Sequence, residues 1–189
     1  MPQSRRTRAP EIETDRLILR GHRRDDFPAL AAMWADPEVT RFISGRPATE
    51  HESWMRYLRY AGHWIVMGYG FWATIRKDTG AFIGEIGFSD FKRPIDLPVR
   101  GLPEAGWAFV RSAHGQGFAG EALAACLAWS DKVARFPLTT CIIEPQNAPS
   151  IRLAERAGYK QAAVIAGTEG TPVGLYERVR PKNRQAPES

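Results

Sequence analysis

The chain has 189 residues, of which 43% are hydrophobic and 11% aromatic, and this is enough for one globular domain with a buried core. No apolar run approaches the roughly 20 residues that span a membrane, and no apolar signal region follows the first residues. The two cysteines lie singly in apolar segments, so we expect free buried thiols and a cytoplasmic location. The composition therefore argues against a membrane protein and against a disulfide-stapled scaffold.

The net charge of +5 is concentrated at the two ends of the chain. Residues 1–10 carry three arginines, residues 181–189 add one net positive charge, and about +1 remains between them. We therefore expect a disordered basic tail at 1–10, one domain over 11–180 and a flexible tail at 181–189. An almost neutral body does not predict direct nucleic-acid binding, although the basic ends can help approach to an acidic target.

The first half of the domain predicts a strand, helices and a hairpin, in that order. Residues 11–20 have the pattern of a strand, and a helix follows them. Thr49 and Glu52 form a capping box at the start of a further helix. The segments 69–76 and 81–89 alternate between apolar and polar residues around a short turn, which predicts a β-hairpin.

The second half contains a strand, a glycine loop and a helix in direct succession. Residues 105–110 form a short apolar run, the loop carries Gly115, Gly117 and Gly120, and a helical pattern continues to about residue 134. The first turn of a helix has N–H groups without intrahelical partners, and the helix dipole is positive there. Residues without bulky side chains let a phosphate reach those groups. The stretch therefore predicts an anion site.

Two kinds of anion site fit this loop. Residues 115–120 match the dinucleotide pattern G-x-G-x-x-G, and Glu144 ends the next apolar run, where a ribose-binding acid would lie. However, the polar segment 111–114 separates the strand from the first glycine, and only 45 residues follow Glu144. These two features disfavour a doubly wound dinucleotide fold.

The segment 106–122 resembles motif A of the GNAT acetyltransferase superfamily. The core of that motif is Arg/Gln-x-x-Gly-x-Gly/Ala, and here His114 takes its first position. The continuation Gly-Phe-Ala-Gly-Glu-Ala is similar to the RimJ/RimL-like branch, and residues 14–20 are typical of the start of that branch.

A second phrase strengthens the resemblance. Asn147, Ser150, Gly158 and Tyr159 match the family phrase Asn-x-x-Ser followed by Gly-Phe/Tyr, and Asn147 lies 27 residues after Gly120. Asn147 can also cap a helix and Gly158 can end it, so both have structural roles as well. The resemblance covers about residues 11–180.

The resemblance implies an α/β (α+β) GNAT fold, with a mixed central sheet of about six to seven strands and about four flanking helices. It implies a splayed cleft in which acetyl-CoA binds as co-substrate. The loop amides would hold the pyrophosphate, and the strand before the loop would pair with the pantetheine arm. The implied cofactor-binding residues are Phe109, Val110, Gly115, Gln116, Gly117, Phe118, Ala119, Gly120, Asn147 and Ser150.

Acetyl transfer to an amine needs a proton acceptor, a donor for the oxyanion and a proton for the departing thiolate. By resemblance, Ser150 would protonate the thiolate, or it would only satisfy an N–H of its own helix. Glu104 and Glu85 are the candidate bases, and each is otherwise a solvated charge at a strand end. The backbone near Val110 would supply the oxyanion donors.

The acceptor is expected to be a primary amine, on a protein N-terminus or on a small molecule. By resemblance, one wall of its site lies between the first strand and the hairpin, and each candidate can equally be a core residue: Trp34, Phe42, Trp54 and Tyr57. The four histidines show no ligand spacing, so we expect no metal. A non-catalytic acyl-CoA-binding regulatory module is the alternative from another class, and the oligomeric state is open, with a homodimer as one option.

The choice between the two anion sites predicts a selective response to cofactors. Acetyl-CoA should raise the melting temperature of the protein and NADH should not, because a ligand that binds only the folded state stabilises it. At a hundredfold excess over Kd this stabilisation is ~2.7 kcal/mol. Thermal melting with each cofactor is the measurement, and a shift with NADH alone would favour the dinucleotide site.

Overall fold

The computed structural model describes residues 7–93, 101–167 and 170–181. These form an eight-stranded sheet in the order β1-β2-β3-β4-β5-β6-β8-β7. The strands are β1 Ile12–Glu13, β2 Leu17–Arg20, β3 Phe71–Arg76, β4 Phe82–Ser89, β5 Glu104–Phe109, β6 Leu138–Ile143, β7 Lys160–Ala166 and β8 Pro172–Val179. The helices are α1 Phe27–Trp34, α2 Pro37–Thr40, α3 Glu50–Met67, α4 Phe118–Trp129 and α5 Ala148–Arg156.

The expected α/β architecture with a mixed sheet is confirmed. The sheet has eight strands where six to seven were expected, because the segment 11–20 divides into β1 and β2. The Thr14 hydroxyl accepts the N–H of Leu17 at 3.0 Å and so turns the chain between them. The predicted capping box is also present, since Thr49 Oγ1 accepts the N–H of Glu52 at 3.2 Å and the Glu52 carboxylate accepts the N–H of Thr49 at 2.8 Å.

The described chain begins at residue 7, before the expected domain boundary at residue 11. Ala9 packs against the core, and the carbonyl of Pro10 accepts the indole N–H of Trp72 at 2.8 Å. A buried tryptophan thus has its hydrogen-bond partner within the segment predicted as a tail, and the boundary of the tail stays a prediction. The other tail predictions concern residues 1–6 and 182–189, which lie outside the described residues, as does part of the predicted loop before β5.

Two hydrophobic clusters cover opposite faces of the sheet. Ala105 and Phe109 of β5 belong to the larger cluster, which includes much of α4, whereas Ala108 belongs to the smaller one with residues of α1 and α3. This alternation follows from the period of two in a strand. Cys126 and Cys141 are buried free thiols, as expected, and burial raises the pKa of both well above the usual range.

The sheet splays between β5 and β6. β5 pairs with β4 along its whole length, from Glu104 opposite Ser89 to Phe109 opposite Gly84. With β6, by contrast, β5 forms a single parallel pair, Glu104 with Thr140. The two strands diverge beyond this pair, so the expected cleft opens towards the end of β5 that leads into the glycine loop.

The space around Gly87 shows how closely β4 approaches the neighbouring backbone. A Cβ at Gly87 would lie 2.3 Å from the carbonyl oxygen of Gly70 and 2.4 Å from Cα of Phe71, and backbone atoms cannot rotate away. Gly87→Ala should therefore lower the free energy of unfolding by roughly 1–3 kcal/mol, as overpacking does. The measurement is chemical denaturation of the purified variant.

Gly62→Ala is the matched control, because Gly62 lies within α3 and a Cβ there would meet nothing within 4 Å. Alanine is the better helix former, so this variant should gain roughly 0.5–1 kcal/mol. Equal stabilities of the two variants would contradict the described approach of β4 to Gly70.

Candidate active site

The loop after β5 leaves the start of α4 open. Gly115 and Gly117 have φ of 72° and 80°, in the left-handed region that favours glycine. Gly117 is the N-cap residue of α4, and among the described residues no side chain caps the helix there. The first N–H groups of α4 therefore remain available to an anion.

The other loop residues named from the sequence occupy three kinds of position. Phe118 is buried, Ala119 packs against the core, and a Cβ at Gly120 would touch Leu153 at 3.9 Å. The side-chain amide of Gln116 donates to the carbonyl of Ser112. Only the backbone of this segment is thus placed to meet a ligand.

The free edge of β5 belongs to alternate residues. The N–H of Val110 donates to Ile83 of β4 at 2.9 Å, and its carbonyl accepts the N–H of Ala113 at 2.9 Å. In an antiparallel ladder the backbone groups of successive residues face alternately towards the neighbouring strand and away from it. Since Val110 faces β4, Phe109 and Trp107 direct their backbone groups away from β4 and into the cleft. The expected main-chain contact at Val110 is therefore corrected, because both of its groups are already paired.

His114 ties the loop to the end of this strand. Its Nε2 lies 2.9 Å from the carbonyl oxygen of Phe109, so the nitrogen is the donor in this contact. The first motif position is thus occupied by a residue that fixes the chain between strand and loop. The amide of Phe109 remains directed into the cleft.

Ser150 and Asn147 lie at the start of α5, on the far side of the cleft from β4. The side chain of Asn147 accepts the N–H of Ser150 at 3.2 Å, so the asparagine caps the helix. The indole N–H of Trp107 donates to Oγ of Ser150 at 3.2 Å. The hydroxyl of Ser150 is therefore held at β5. Among the described residues it does not accept a helix N–H, the structural role considered for it from the sequence.

Glu85 is fully buried beside the middle of β5, opposite Ala108. Its Oε1 accepts the indole N–H of Trp34 at 3.1 Å and the hydroxyl of Tyr60. Burial, and then the negative charge of Glu85, raise the pKa of Tyr60 well above its usual range, so the tyrosine stays a donor. Glu85 is thus a core carboxylate, not the solvated strand-end charge of the alternative interpretation.

Seven buried side-chain polar atoms have no hydrogen-bond partner among the described residues, and three of them belong to Glu85 and to the side chains around it. These three are Oε2 of Glu85, Nε2 of His22 and Nε of Arg56. The histidine nitrogen lies 3.6 Å from Oε2 of Glu85, and the Arg56 guanidinium lies 3.5 Å from the ring centre of Trp34. His22, Tyr60 and Arg56 were not found from the sequence, because no local pattern marks them.

Glu104 lies at the other end of β5, on the floor of a separate cavity. Arg93 binds both of its oxygens, with Nη2 at 2.7 Å from Oε1 and Nε at 3.0 Å from Oε2. The cavity has a volume of about 220 Å³, and its lining includes Asp90 and Thr140. Glu104 projects on the same face of the sheet as Ala108, four residues before it on β5. Glu85 of β4 lies opposite Ala108 and projects on that face as well.

The four aromatic candidates do not line this cavity. Trp34 is only 3% exposed and supports Glu85 from within the core, so its predicted contact with an acceptor is corrected. Trp54 is 37% exposed and stacks on Tyr57 with ring centres 5.3 Å apart. Phe42 lies 5.0 Å from the guanidinium of Arg41. Trp54 and Tyr57 thus remain at an accessible surface, formed by α3.

The described part of the chain contains no group of three or more His, Cys, Asp or Glu side chains that could hold a metal ion. Its helices include none that combines the length and apolar character needed to cross a membrane. The charged side chains around the cleft are instead engaged in pairs, such as Arg93 with Glu104.

Known proteins were compared with this chain at the level of families, sequences and structures. Residues 16–160 match the GNAT acetyltransferase domain model. The chain is 30% identical over 172 residues to the uncharacterized protein YkkB of Bacillus subtilis (strain 168), which covers 89% of this chain and 95% of that protein.

Two solved structures share the fold. A GnaT-family acetyltransferase from Bordetella pertussis superposes with a TM-score of 0.79 at 30% identity, covering 90% of this chain and 99% of that one. RimL, a ribosomal L7/L12 α-N-protein acetyltransferase in complex with coenzyme A, has a TM-score of 0.74 at 16% identity, covering 90% and 98%. The family model and the relatives at 30% identity extend over most of the sequence. The chain therefore belongs to the GNAT acetyltransferase family.

Proposed function

We propose that this protein is an N-acetyltransferase that moves the acetyl group of acetyl-CoA to a primary amine. The splayed cleft carries the proposal. It combines the free backbone edge of β5 with the uncapped start of α4 at its mouth. The same cleft places a serine hydroxyl on one side and a carboxylate on the other, as amine acetylation requires.

In this proposal the cofactor runs from the glycine loop along β5. The pyrophosphate binds the amides around Gly117, where the helix dipole favours negative charge. The pantetheine arm pairs with the cleft-facing backbone groups of Trp107, because the carbonyl of Phe109 is already bound to His114. The amide of Phe109 takes the place of Val110 as the nearest backbone donor for the thioester oxyanion.

Ser150 is the proposed donor of a proton to the departing thiolate. The indole of Trp107 has an N–H donor and no acceptor, so Oγ of Ser150 must accept in their contact. The single hydroxyl proton is then free to point at another atom. A thiolate formed on the pantetheine arm beside β5 is such an acceptor.

The two carboxylates take different parts in the proposal. Both oxygens of Glu104 are occupied by Arg93, whereas Oε2 of Glu85 has no partner among the described residues. We assign proton acceptance to Glu85, with His22 at 3.6 Å as the next group that can exchange a proton with it. Glu104 and Asp90 line the cavity, where each is paired with a cation, Arg93 and Lys92 respectively.

The acceptor is a primary amine of limited size at the reacting end. A cavity of about 220 Å³ takes a small amine or the first residue of a peptide. The likeness to RimL makes a protein N-terminus one candidate acceptor, and a small-molecule amine is the other. A regulatory acyl-CoA-binding module, the alternative from another class, has no need of the hydroxyl that Trp107 holds in the cleft.

An acetylation screen tests the proposed function. Purified protein and acetyl-CoA are incubated with amino acids, polyamines, amine antibiotics and peptides with free N-termini, and products gaining one acetyl group are found by mass spectrometry. Turnover of any member supports the enzyme. Tight binding of acetyl-CoA with no turnover of any amine would instead support the regulatory module.

Ser150→Ala separates the catalytic from the structural interpretation. Loss of the proton donor should lower kcat by ~10²–10⁴-fold, as for general acids, with little change in the KM for acetyl-CoA, because the interaction is made in the transition state. The cap should survive, since Asn147 binds the backbone N–H of residue 150. Steady-state kinetics and thermal melting of one preparation provide both quantities.

Ser44→Ala is the control for this substitution. Ser44 is exposed and bonds only a local carbonyl, that of Arg46 at 2.8 Å. The kcat of Ser44→Ala should equal that of the parent protein. An unchanged kcat in Ser150→Ala would remove Ser150 from the mechanism.

A further inference from the structure

Arg16 connects the turn before β2 to the glycine loop, about 100 positions away in the sequence. Its Nη1 donates to the backbone carbonyl of Gln116 at 2.9 Å. Its Nε and its backbone N–H donate to the two carboxylate oxygens of Glu121, at 2.6 and 2.8 Å. One side chain thus holds the loop and the first turn of α4 together.

The same guanidinium also packs against the residues between these two anchors. It lies 4.5 Å from the ring centre of Phe118. A Cβ at Gly117 would lie 3.4 Å from its Nη2. Every position from Gln116 to Phe118 is therefore in contact with, or directly beside, Arg16.

Glu121 is fixed from a second direction as well. Thr14 Oγ1 donates to its Oε1 at 2.5 Å. Partial burial would raise the pKa of Glu121, but the hydrogen bonds from Thr14 and Arg16 outweigh it and the pKa is lowered. The carboxylate therefore stays charged and remains paired with Arg16.

The loop needs such an anchor for a physical reason. Glycines lose more conformational freedom on folding than other residues, and Gly115 and Gly117 flank Gln116. A flexible loop would have to be ordered when an anion binds, at the expense of affinity. A charge-assisted hydrogen bond from the distant turn before β2 supplies that order in advance.

We propose that Arg16 is a positioning residue that holds the glycine loop in the conformation in which its amides bind the pyrophosphate of CoA. This inference rests on the proposed function. Arg16 acts through the backbone of Gln116 and not by touching the cofactor, since its charge is already paired with Glu121.

The test compares ligands with and without a pyrophosphate. In Arg16→Ala, CoA should bind about 10- to 100-fold more weakly, because one hydrogen bond from a charged group is lost. Pantetheine, which lacks the pyrophosphate, should bind the variant and the parent protein equally. Calorimetry measures CoA and a chemical-shift titration at millimolar concentration measures pantetheine, both below the melting temperature of each variant.

Two further variants make the test specific. Arg16→Lys keeps a charge that can reach Glu121 but not the fork that reaches Gln116 at the same time, so its loss of CoA affinity should approach that of Arg16→Ala. Arg76→Gln is the matched control, because Arg76 also lies over the Phe118 ring, at 5.1 Å, yet pairs with Asp78 and, within the described part of the chain, donates to no atom of the glycine loop. Its affinity for CoA should be unchanged.

The outcomes separate this inference from the proposed function. Parent protein that binds no CoA overturns both. If the parent protein binds CoA and both Arg16→Ala and Arg16→Lys bind it as tightly as the parent does, the role of Arg16 alone is overturned. An equal loss of CoA and pantetheine affinity would make Arg16 a general structural residue and would also overturn the proposal.

Discussion

The unequal pairing of β5 is the constraint on which the rest of the structure depends. The strand is held by β4 along all its residues and by β6 at one pair only. Its outer edge is therefore open, yet its position is fixed, and the glycine loop begins where this edge ends. A strand paired fully on both sides would leave no cleft, and a strand paired on neither would have no defined geometry.

This arrangement also explains why the two side chains proposed to move protons, Ser150 and Glu85, lie on opposite faces of the sheet. Side chains alternate between the two faces along β5, so Trp107 points towards Ser150, whereas Ala108, which lies opposite Glu85, is on the other face. The hydroxyl and the carboxylate thus approach the same stretch of strand from opposite sides. Each is oriented by an indole N–H, from Trp107 on one face and Trp34 on the other.

Features with local causes were predictable from the sequence, and features made by distant contacts were not. The glycine loop, the capping box at Thr49 and the cap at Asn147 involve neighbours in the chain. Trp107 with Ser150 and Arg16 with Gln116 join residues 43 and 100 positions apart, so no spacing reveals them. Val110 was misassigned because the sequence does not show which strand residues face β4. The burial of Glu85 could not be predicted from the sequence, because it results from the packing of α1 and α3 over this residue.

The most direct measurement of the central claim is residue-resolved amide hydrogen exchange by NMR, with and without acetyl-CoA. The amides of Trp107 and Phe109 face the cleft and should exchange quickly in the free protein, whereas that of Ala108, bonded to β4, should be slow throughout. Acetyl-CoA should slow exchange at Trp107, Phe109 and the first amides of α4. Protection elsewhere, with these amides unchanged, would contradict the cleft as the cofactor site.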